Sequence, residues 1–204
     1  MNIKQSFFYA ALTLSVLLSA CSGKSKSGDT ESGQSGSDNP ELAEYAVYTG
    51  YNISVPEDFI DKNLDPDRFS FYYGDESDKI GIGIEGDLPG DGREGYEERR
   101  MQDGSLEKYP YTLKGYSDFI VNDFKTRWQD VKEVNHKEVN INGMPAVINE
   151  IQCTLSMQGK SLPAHVYIAN IEGSNGILYR ITILSLKGAL GYTDDVFNSF
   201  QVTE

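Results

Sequence analysis

Apolar and polar residues alternate along most of the chain after residue 41. Ile80, Ile82 and Ile84 alternate with glycines, for example, and another alternating run leads into Asn142-Gly143. A period of two is typical of strands with one buried face, and Asn-Gly between two such runs is a strong signal for a β-hairpin. We therefore predict strands over residues 45–48, 51–55, 68–73, 79–85, 139–141, 144–157, 163–171 and 177–184.

Two other segments have the period of an α-helix. Apolar residues at steps of four form a stripe on one face of the first segment: Tyr116, Ile120, Phe124 and Trp128. The second segment is residues 193–200, for which Thr193 is the expected N-cap. These elements predict an α+β fold, a mainly antiparallel β-sheet packed by one or two α-helices. Residues 86–112 show neither period, so we predict a long surface loop there.

The first 21 residues have the layout of a secretory leader. Residues 7–20 are uncharged and mostly apolar, Lys4 supplies a positive flank, and Leu18-Ser19-Ala20 precedes Cys21. The run is shorter than the roughly 20 residues of a membrane-spanning helix, which favours a cleaved signal peptide. The junction resembles the lipobox of bacterial lipoproteins, in which the cysteine is diacylated and becomes the mature N-terminus. The resemblance implies a lipid anchor on Cys21 and an extracytoplasmic domain, and it leaves open which membrane holds the anchor.

Composition divides the chain into three parts. Residues 1–20 are the expected signal peptide, and residues 21–40 are the expected lipidated cysteine and a linker. In that linker, 10 of the 19 residues after Cys21 are Ser or Gly, a composition that gives a flexible chain. Residues 41–204 remain, and about 160 residues are enough for a single globular domain with a hydrophobic core.

Acidic residues outnumber basic ones by 31 to 18, which gives a formal net charge of −13. Such a surface repels polyphosphates and anionic headgroups, so we expect no nucleic acid partner. Asp87, Asp91 and Glu94 lie close together in the sequence, with glycines between them. Ca²⁺ takes about six to eight oxygen ligands, many from carboxylates, but the spacing fits no EF-hand. A solvated acidic loop is the first interpretation, and a calcium site is the alternative.

Residues that commonly carry catalysis are sparse. The chain has two histidines, His136 and His165, and we predict that both face outward. Cys153 lies in an alternating run and is expected to point inward as a structural thiol, with Ile151 and Leu155. No G-x-S-x-G, H-E-x-x-H, C-x-x-C or Walker sequence is present. We therefore expect no catalytic residues and no enzyme activity.

Gly81-Ile-Gly83-Ile-Glu-Gly86 matches the G-x-G-x-x-G pattern of dinucleotide-binding proteins. That pattern needs a strand that ends at the first glycine and a helix that begins after the last one. Here the glycines alternate with isoleucines inside a strand. We predict instead a strand whose outer face is bare of side chains, near a sheet edge or a bulge, with no cofactor.

Three stretches, taken in chain order, carry a resemblance to a known family. They are Tyr51-Asn-Ile53-Ser-Val55-Pro56-Glu-Asp-Phe59, Ile141-Asn142-Gly143-Met-Pro145-Ala146, and Asn198-Ser199-Phe200 followed by Val202. They resemble the first core strand, the central hairpin and the terminal helix and strand of the PsbP-like fold. Ran-binding Mog-type proteins and many small bacterial lipoproteins share that fold. The family has no shared catalytic residues, and the resemblance implies a role in binding or assembly.

Together these features favour a lipid-anchored, extracytoplasmic binding or accessory domain of the bacterial envelope, with an envelope protein as the expected partner. Tyr109-Pro110-Tyr111, in the predicted loop, is the aromatic cluster that we expect at the surface, because tyrosine is enriched at interfaces. Two alternatives stay open. One is a divalent-cation-binding accessory subunit that uses the acidic segment, and the other is an envelope hydrolase with an unrecognised site.

Overall fold

Twelve strands and two helices form the part of the chain that the structure describes. The structure is a computed structural model, and it describes residues 39–47, 50–63, 71–87, 96–100, 106–110, 112–157 and 159–203. The strands are β1 (Leu42–Val47), β2 (Tyr51–Pro56), β3 (Ile60–Asp61), β4 (Phe71–Gly74), β5 (Ile80–Asp87), β6 (Tyr96–Arg100), β7 (Leu106–Pro110), β8 (Gln129–Ile141), β9 (Met144–Met157), β10 (Lys160–Glu172), β11 (Leu178–Ser185) and β12 (Gln201–Val202). The helices are α1 (Leu113–Arg127) and α2 (Thr193–Ser199).

Seven of these strands form the main sheet, in the order β3-β4-β5-β11-β10-β9-β8. Every neighbouring pair in it is antiparallel. A second sheet has the order β1-β2-β12, and β6 pairs with β7. The predicted fold class, an α+β fold with a mainly antiparallel sheet packed by helices, is therefore confirmed.

The hairpin of β8 and β9 turns at Asn142-Gly143, as the sequence predicts. Both residues have positive φ, 50° for Asn142 and 85° for Gly143, which is what a two-residue type I′ turn requires. The Asn142 Nδ2 also donates to the backbone oxygens of Asn198 and Phe200, each at 2.8 Å. The turn thus fixes the register of β8 against β9 and holds the end of α2.

One face of the main sheet packs against the three-stranded sheet and α2, and we call it the α2 face. Tyr51 of β2, Tyr179 of β11 and Phe200 form an aromatic group there, with ring centroids 5.2–5.8 Å apart. Val196 and Phe197 of α2 are buried on the same side, as predicted. Burial of these large apolar side chains is the main force that joins the second sheet to the first.

α1 covers the opposite face of the main sheet, which we call the α1 face. The predicted helical stripe is buried there, with Tyr116 and Ile120 at 0% exposure and Phe124 at 4%. Trp128 is the C-cap residue of the helix. Cys153 of β9 is buried in the same cluster, so its predicted inward orientation is confirmed.

The prediction of a long surface loop over residues 86–112 is wrong. β5 continues to Asp87, and β6 and β7 form an antiparallel pair within the same segment. β6 contains four consecutive charged residues, so no alternation of apolar and polar residues marks it as a strand. The Tyr109-Pro110-Tyr111 cluster falls on this pair, since Tyr109 and Pro110 belong to β7, and Tyr111 lies outside the described residues.

Both faces of β10 are covered, which corrects the prediction that His165 faces outward beside Tyr167. Tyr167 is 5% exposed and packs on the α2 face. Its hydroxyl accepts a hydrogen bond from the backbone N of Leu190 at 2.9 Å. The His165 side chain is 21% exposed. Alternation shows that a strand has two faces, but here the segment between β11 and α2 covers the face that was expected to meet solvent.

Gly81 and Gly83 lie inside the main sheet rather than on a bare face. β5 has β4 on one side and β11 on the other, and both glycines are buried. A Cβ at Gly81 would lie 2.7 Å from the hydroxyl oxygen of Tyr72. The ring of Tyr72 therefore occupies the space that a side chain would fill. The prediction that the glycines belong to a strand is confirmed, and the prediction of a bare outer face is wrong.

α2 begins without a side-chain cap. Its N-cap is Tyr192, not Thr193 as predicted, and Tyr192 makes no capping hydrogen bond. Thr193 is instead the first helical residue and is buried. Asp194 and Asp195 lie in the first turn, where negative charge complements the helix dipole. Asp195 also accepts a hydrogen bond from the Nδ2 of Asn39 at 3.3 Å, which holds the first described residue beside α2.

Candidate functional site

Neighbouring strands of the main sheet place polar residues in a row across the α1 face. We call this row the polar strip, and its members are Glu85 (β5), Arg180 (β11), Asn170 (β10), Asn149 (β9) and His136 (β8). Arg180 pairs directly with Glu85 on one side and with Asn170 on the other. Asn149 pairs with His136. The step from β10 to β9 is diagonal, because Asn149 pairs with Ile168, two residues before Asn170.

Most of the polar strip is buried. Asn149 and Asn170 are both 0% exposed, Arg180 is 5% exposed, and the Glu85 side chain is 12% exposed. His136, on the edge strand β8, is 46% exposed. Burying a polar group costs free energy unless it is hydrogen-bonded, so the partners of each residue decide what the strip can do.

At the β9 end of the strip, the buried amide is hydrogen-bonded through both of its polar atoms. The Asn149 Nδ2 donates to the Oγ of Ser117 at 2.8 Å, and its Oδ1 lies 2.7 Å from the Nδ1 of His136. An amide oxygen only accepts, so the ring nitrogen is the donor. Ser117 belongs to α1 and is 1% exposed. This chain of hydrogen bonds therefore ties the helix to the sheet.

The same chain does not prepare Ser117 as a nucleophile. A serine nucleophile needs a base within hydrogen-bonding distance, whereas the Ser117 hydroxyl accepts a hydrogen bond from an amide. Asn149 stands between Ser117 and His136. Cys153 is the other candidate nucleophile on the α1 face. Burial raises the pKa of its thiol to about 11, so it is not an activated thiolate.

The opposite end of the polar strip contains buried polar atoms without partners. The Arg180 Nη2 donates to the Oε2 of Glu85, and the two side chains form an ion pair. The Arg180 Nη1 and both amide atoms of Asn170, Oδ1 and Nδ2, are buried with no hydrogen-bond partner among the described residues. Arg180 and Asn170 are directly opposed, so their Cβ atoms are about 5 Å apart.

These unpaired atoms carry a cost for the fold. An unsatisfied buried donor or acceptor costs about 1–3 kcal/mol, and three of them are concentrated on two neighbouring residues. Burial lowers the pKa of Arg180 to about 10, so the guanidinium stays protonated at neutral pH. Each such group in a native structure needs an explanation, and a buried water molecule or a ligand would supply the missing hydrogen bonds.

The residues predicted as sites lie elsewhere. Cys21, Asp91 and Glu94 fall outside the described residues, and Asp87 is the last residue of β5, opposite Leu178. The described ranges contain no group of three or more His, Cys, Asp or Glu residues that could hold a metal ion. They also contain no helix with the length and apolar character needed to cross a bilayer. The lipid anchor and the calcium site stay predictions.

The two histidines are not brought together. His136 is exposed on the α1 face, as predicted. His165 lies on the α2 face, where its Nδ1 is 3.8 Å from the Oε1 of Glu150 and has no hydrogen-bond partner in the described part of the chain. The sheet separates the two rings, so they do not share a metal site.

Glu85, Arg180, Asn170 and Asn149 were not predicted as site residues from the sequence. A signal for Arg180 was present, because Leu178 to Leu184 is otherwise almost continuously apolar apart from Thr182. Such runs are typical of strands buried on both faces, and a charged residue inside one is rarely buried without a partner. The neighbours of Arg180 in the sheet, Glu85 and Asn170, could not be predicted from the sequence in this way. The order of the strands in the sheet depends on contacts between distant segments.

Two of the solved structures with a similar chain trace are from Synechocystis sp. PCC 6803 and Pseudomonas aeruginosa. The solution structure of cyanobacterial PsbP (CyanoP) from Synechocystis sp. PCC 6803 is 15% identical, with a TM-score of 0.46, and the match covers 85% of this chain and 98% of that chain. The crystal structure of PA94, a protein of unknown function and putative regulator from Pseudomonas aeruginosa, is 10% identical, with a TM-score of 0.34, over 71% of this chain and 82% of that one. No family model and no curated protein matches the chain. The first structure is of the family that the sequence resembles, but at these TM-scores neither similarity decides what the polar strip does.

Proposed function

We propose that this protein is a lipid-anchored binding or accessory domain on the extracytoplasmic side of the bacterial envelope, with no catalysis of its own. The observation that carries the proposal is the unpaired end of the polar strip, where Asn170 and Arg180 hold hydrogen-bonding atoms that the described residues do not use. Ligand sites place a few polar groups of this kind in apolar surroundings. A hydrolase would need a nucleophile beside a base, and neither Ser117 nor Cys153 has one in the described ranges.

Support for the anchor comes from the sequence. Leu18-Ser19-Ala20-Cys21 resembles a lipobox, and two or more acyl chains hold a protein at a bilayer where one binds only marginally. The proposed tether is residues 22–40, whose Ser- and Gly-rich composition is typical of linkers. Asn39 contacts Asp195 at the start of α2, so the tether reaches the domain on the side opposite the polar strip.

The proposed partner is an envelope protein, and the net charge of −13 disfavours nucleic acid. The two alternatives gain no support from the described residues. A cation-binding accessory subunit would depend on Asp91 and Glu94, which lie outside those residues. An envelope hydrolase would depend on an activated nucleophile. Neither candidate on the described part of the α1 face, Ser117 or Cys153, is activated by a neighbouring base.

Replacing Cys21 tests the anchor. Cys21→Ala, expressed in a bacterial host, should leave the membrane pellet after a high-salt wash, because no acyl chain can be attached. Cys153→Ala is the matched control, since it removes the other cysteine of the chain from the core and should stay with the membrane. Retention of Cys21→Ala in the washed pellet would contradict the anchor.

Capture from envelope extract tests the binding role. Full-length wild-type protein in mild detergent should retain an envelope component that Asn170→Leu loses, because leucine keeps the volume of the side chain and removes both amide atoms. Asn198→Leu, the same substitution at an exposed position of α2, should retain that component. Identical sets of proteins on wild type and Asn170→Leu would contradict binding at the polar strip.

A further inference from the structure

The chain contains two Asn-Gly pairs, and both form turns of the main sheet. Asn142-Gly143 joins β8 to β9, and Asn175-Gly176 joins β10 to β11. Both asparagines are exposed, and both glycines have positive φ, 85° for Gly143 and 77° for Gly176. Asn before Gly is the dipeptide most prone to lose ammonia, because a residue without a side chain lets its backbone nitrogen approach the asparagine Cγ.

The turn at Asn142 opposes this reaction. The Asn142 Nδ2 donates to the backbone oxygens of Asn198 and Phe200, each at 2.8 Å, and the Gly143 nitrogen donates to the Oδ1 of Asn140 at 2.7 Å. A nitrogen that leaves as ammonia must gain a proton, and carbonyl oxygens only accept hydrogen bonds. A carboxylate in its place would face two carbonyl oxygens. The fold therefore holds Asn142 as an amide.

The side chain of Asn175 is held in a different way. Its Oδ1 accepts from the backbone nitrogen of Ile177 at 3.2 Å, and its Nδ2 lies 2.9 Å from the hydroxyl oxygen of Tyr179. Gly173 leaves the space for this arrangement, because a Cβ there would lie 2.7 Å from the Asn175 Oδ1 and 2.8 Å from a ring carbon of Tyr179. The asparagine side chain is thus folded over its own turn.

These two contacts suit the loss of ammonia. When a nucleophile adds to Cγ, negative charge develops on the amide oxygen, where the backbone N–H of Ile177 stabilises it. The departing nitrogen becomes an amine, to which the neighbouring tyrosine hydroxyl can donate a proton. The nucleophile is the Gly176 nitrogen, which donates to the Gly173 oxygen at 2.9 Å. The Gly143 nitrogen is hydrogen-bonded as well, so the two pairs differ in the contacts of the asparagine side chain.

We infer that Asn175-Gly176 is a self-modification site, at which the asparagine becomes aspartate or isoaspartate. The Gly176 nitrogen bonds to the Asn175 Cγ, the Cγ–Nδ2 bond breaks, and Tyr179 protonates the departing nitrogen. The proton lost by the Gly176 nitrogen restores the tyrosine hydroxyl through solvent, so ammonia alone is released. One water molecule then opens the cyclic imide, at Cγ to give aspartate or at the backbone carbonyl carbon to give isoaspartate. This inference goes beyond the proposed function and does not depend on it.

The two products change the turn to different extents. Aspartate at position 175 keeps the backbone, and its carboxylate can accept a hydrogen bond from the Tyr179 hydroxyl. Isoaspartate passes the chain through the former side chain and adds a methylene to the turn between β10 and β11. Both products add a negative charge at the end of the hairpin that carries Asn170 and Arg180.

Ageing of the full chain in detergent, at mildly alkaline pH, tests the inference. Peptide mass spectrometry should show NH₂ replaced by OH at Asn175 about tenfold faster than at Asn142. Ageing in guanidinium chloride is the matched control, since both pairs then lie in an unfolded chain and should convert at similar rates. Equal rates at the two residues of the folded chain would overturn the inference. So would an Asn175 that stays an amide while the unfolded chain converts.

Tyr179→Phe tests the proton transfer, because it removes the hydroxyl and keeps the ring that packs on Tyr51 and Phe200. It should slow conversion at Asn175 about tenfold in the folded chain and leave the rate in guanidinium chloride unchanged. Tyr167→Phe is the matched control, since it removes another tyrosine hydroxyl on the α2 face and should leave the rate unchanged. A wild-type or higher rate in folded Tyr179→Phe would overturn the role of the hydroxyl.

Discussion

Asn149 and Asn170 lie on neighbouring strands of one sheet face, and both are fully buried. Asn149 is held by Ser117 and His136, whereas neither amide atom of Asn170 has a partner among the described residues. Burial alone therefore does not distinguish a structural polar group from a candidate binding group. The difference lies in whether the hydrogen bonds are already used, and in this sheet it separates the two ends of the polar strip.

Arg180 combines both situations within one side chain. One terminal nitrogen of its guanidinium is paired with Glu85, and the other has no partner in the described part of the chain. The ion pair lets a positive charge remain inside the sheet, and it uses only one of the two terminal nitrogens of Arg180. We therefore assign Glu85 a positioning role and expect the functional contacts to come from Arg180 and Asn170.

The largest expected effect is on stability, from Arg180→Met. It removes one partner of a buried ion pair and leaves the Glu85 carboxylate uncompensated, which costs about 3–5 kcal/mol. Urea denaturation should show the loss as a lower midpoint with an unchanged slope.

The double variant Glu85→Gln/Arg180→Met is the control for that measurement. It keeps the methionine at position 180 and replaces the Glu85 carboxylate by a neutral amide. It should therefore recover most of the lost free energy of unfolding. A double variant as unstable as Arg180→Met would show that the loss comes from packing rather than from charge.

A smaller loss is expected from Asn149→Leu. Leucine has a similar volume, but the buried Ser117 hydroxyl then loses the amide that donates to it. An unsatisfied buried group costs about 1–3 kcal/mol, while the exposed His136 can bond to water instead. The midpoint of urea denaturation measures the change, and a variant as stable as wild type would show that this end of the strip does not tie α1 to the sheet.

Local signals account for the parts of the fold that the sequence predicts well. Asn142-Gly143 defines its turn through the positive φ of two adjacent residues, and the stripe from Tyr116 to Trp128 defines the buried side of α1. Both depend only on neighbours in the chain. β6 was missed because four charged residues hide its strand character, which emerges only through pairing with β7.

The polar strip was missed for a different physical reason. Alternation assigns Asn170 to the face of β10 that contains Val166 and Ile168, and that face was expected to be buried. It does not show which residues of the neighbouring strands lie beside Asn170. The opposition of Arg180 and Asn170 depends on the register of distant strands, which periodicity within each strand does not determine.

The most direct test of the account is the free energy of unfolding of Asn170→Leu, measured without ligand beside wild type and Asn149→Leu. Replacing an unsatisfied buried polar group by an apolar one of similar volume removes a cost, so Asn170→Leu should be as stable as wild type or more stable. Asn149→Leu should be less stable in the same experiment. A loss of about 1 kcal/mol or more for Asn170→Leu would mean that Asn170 is already satisfied within the fold, and it would contradict the assignment of this end of the polar strip to binding.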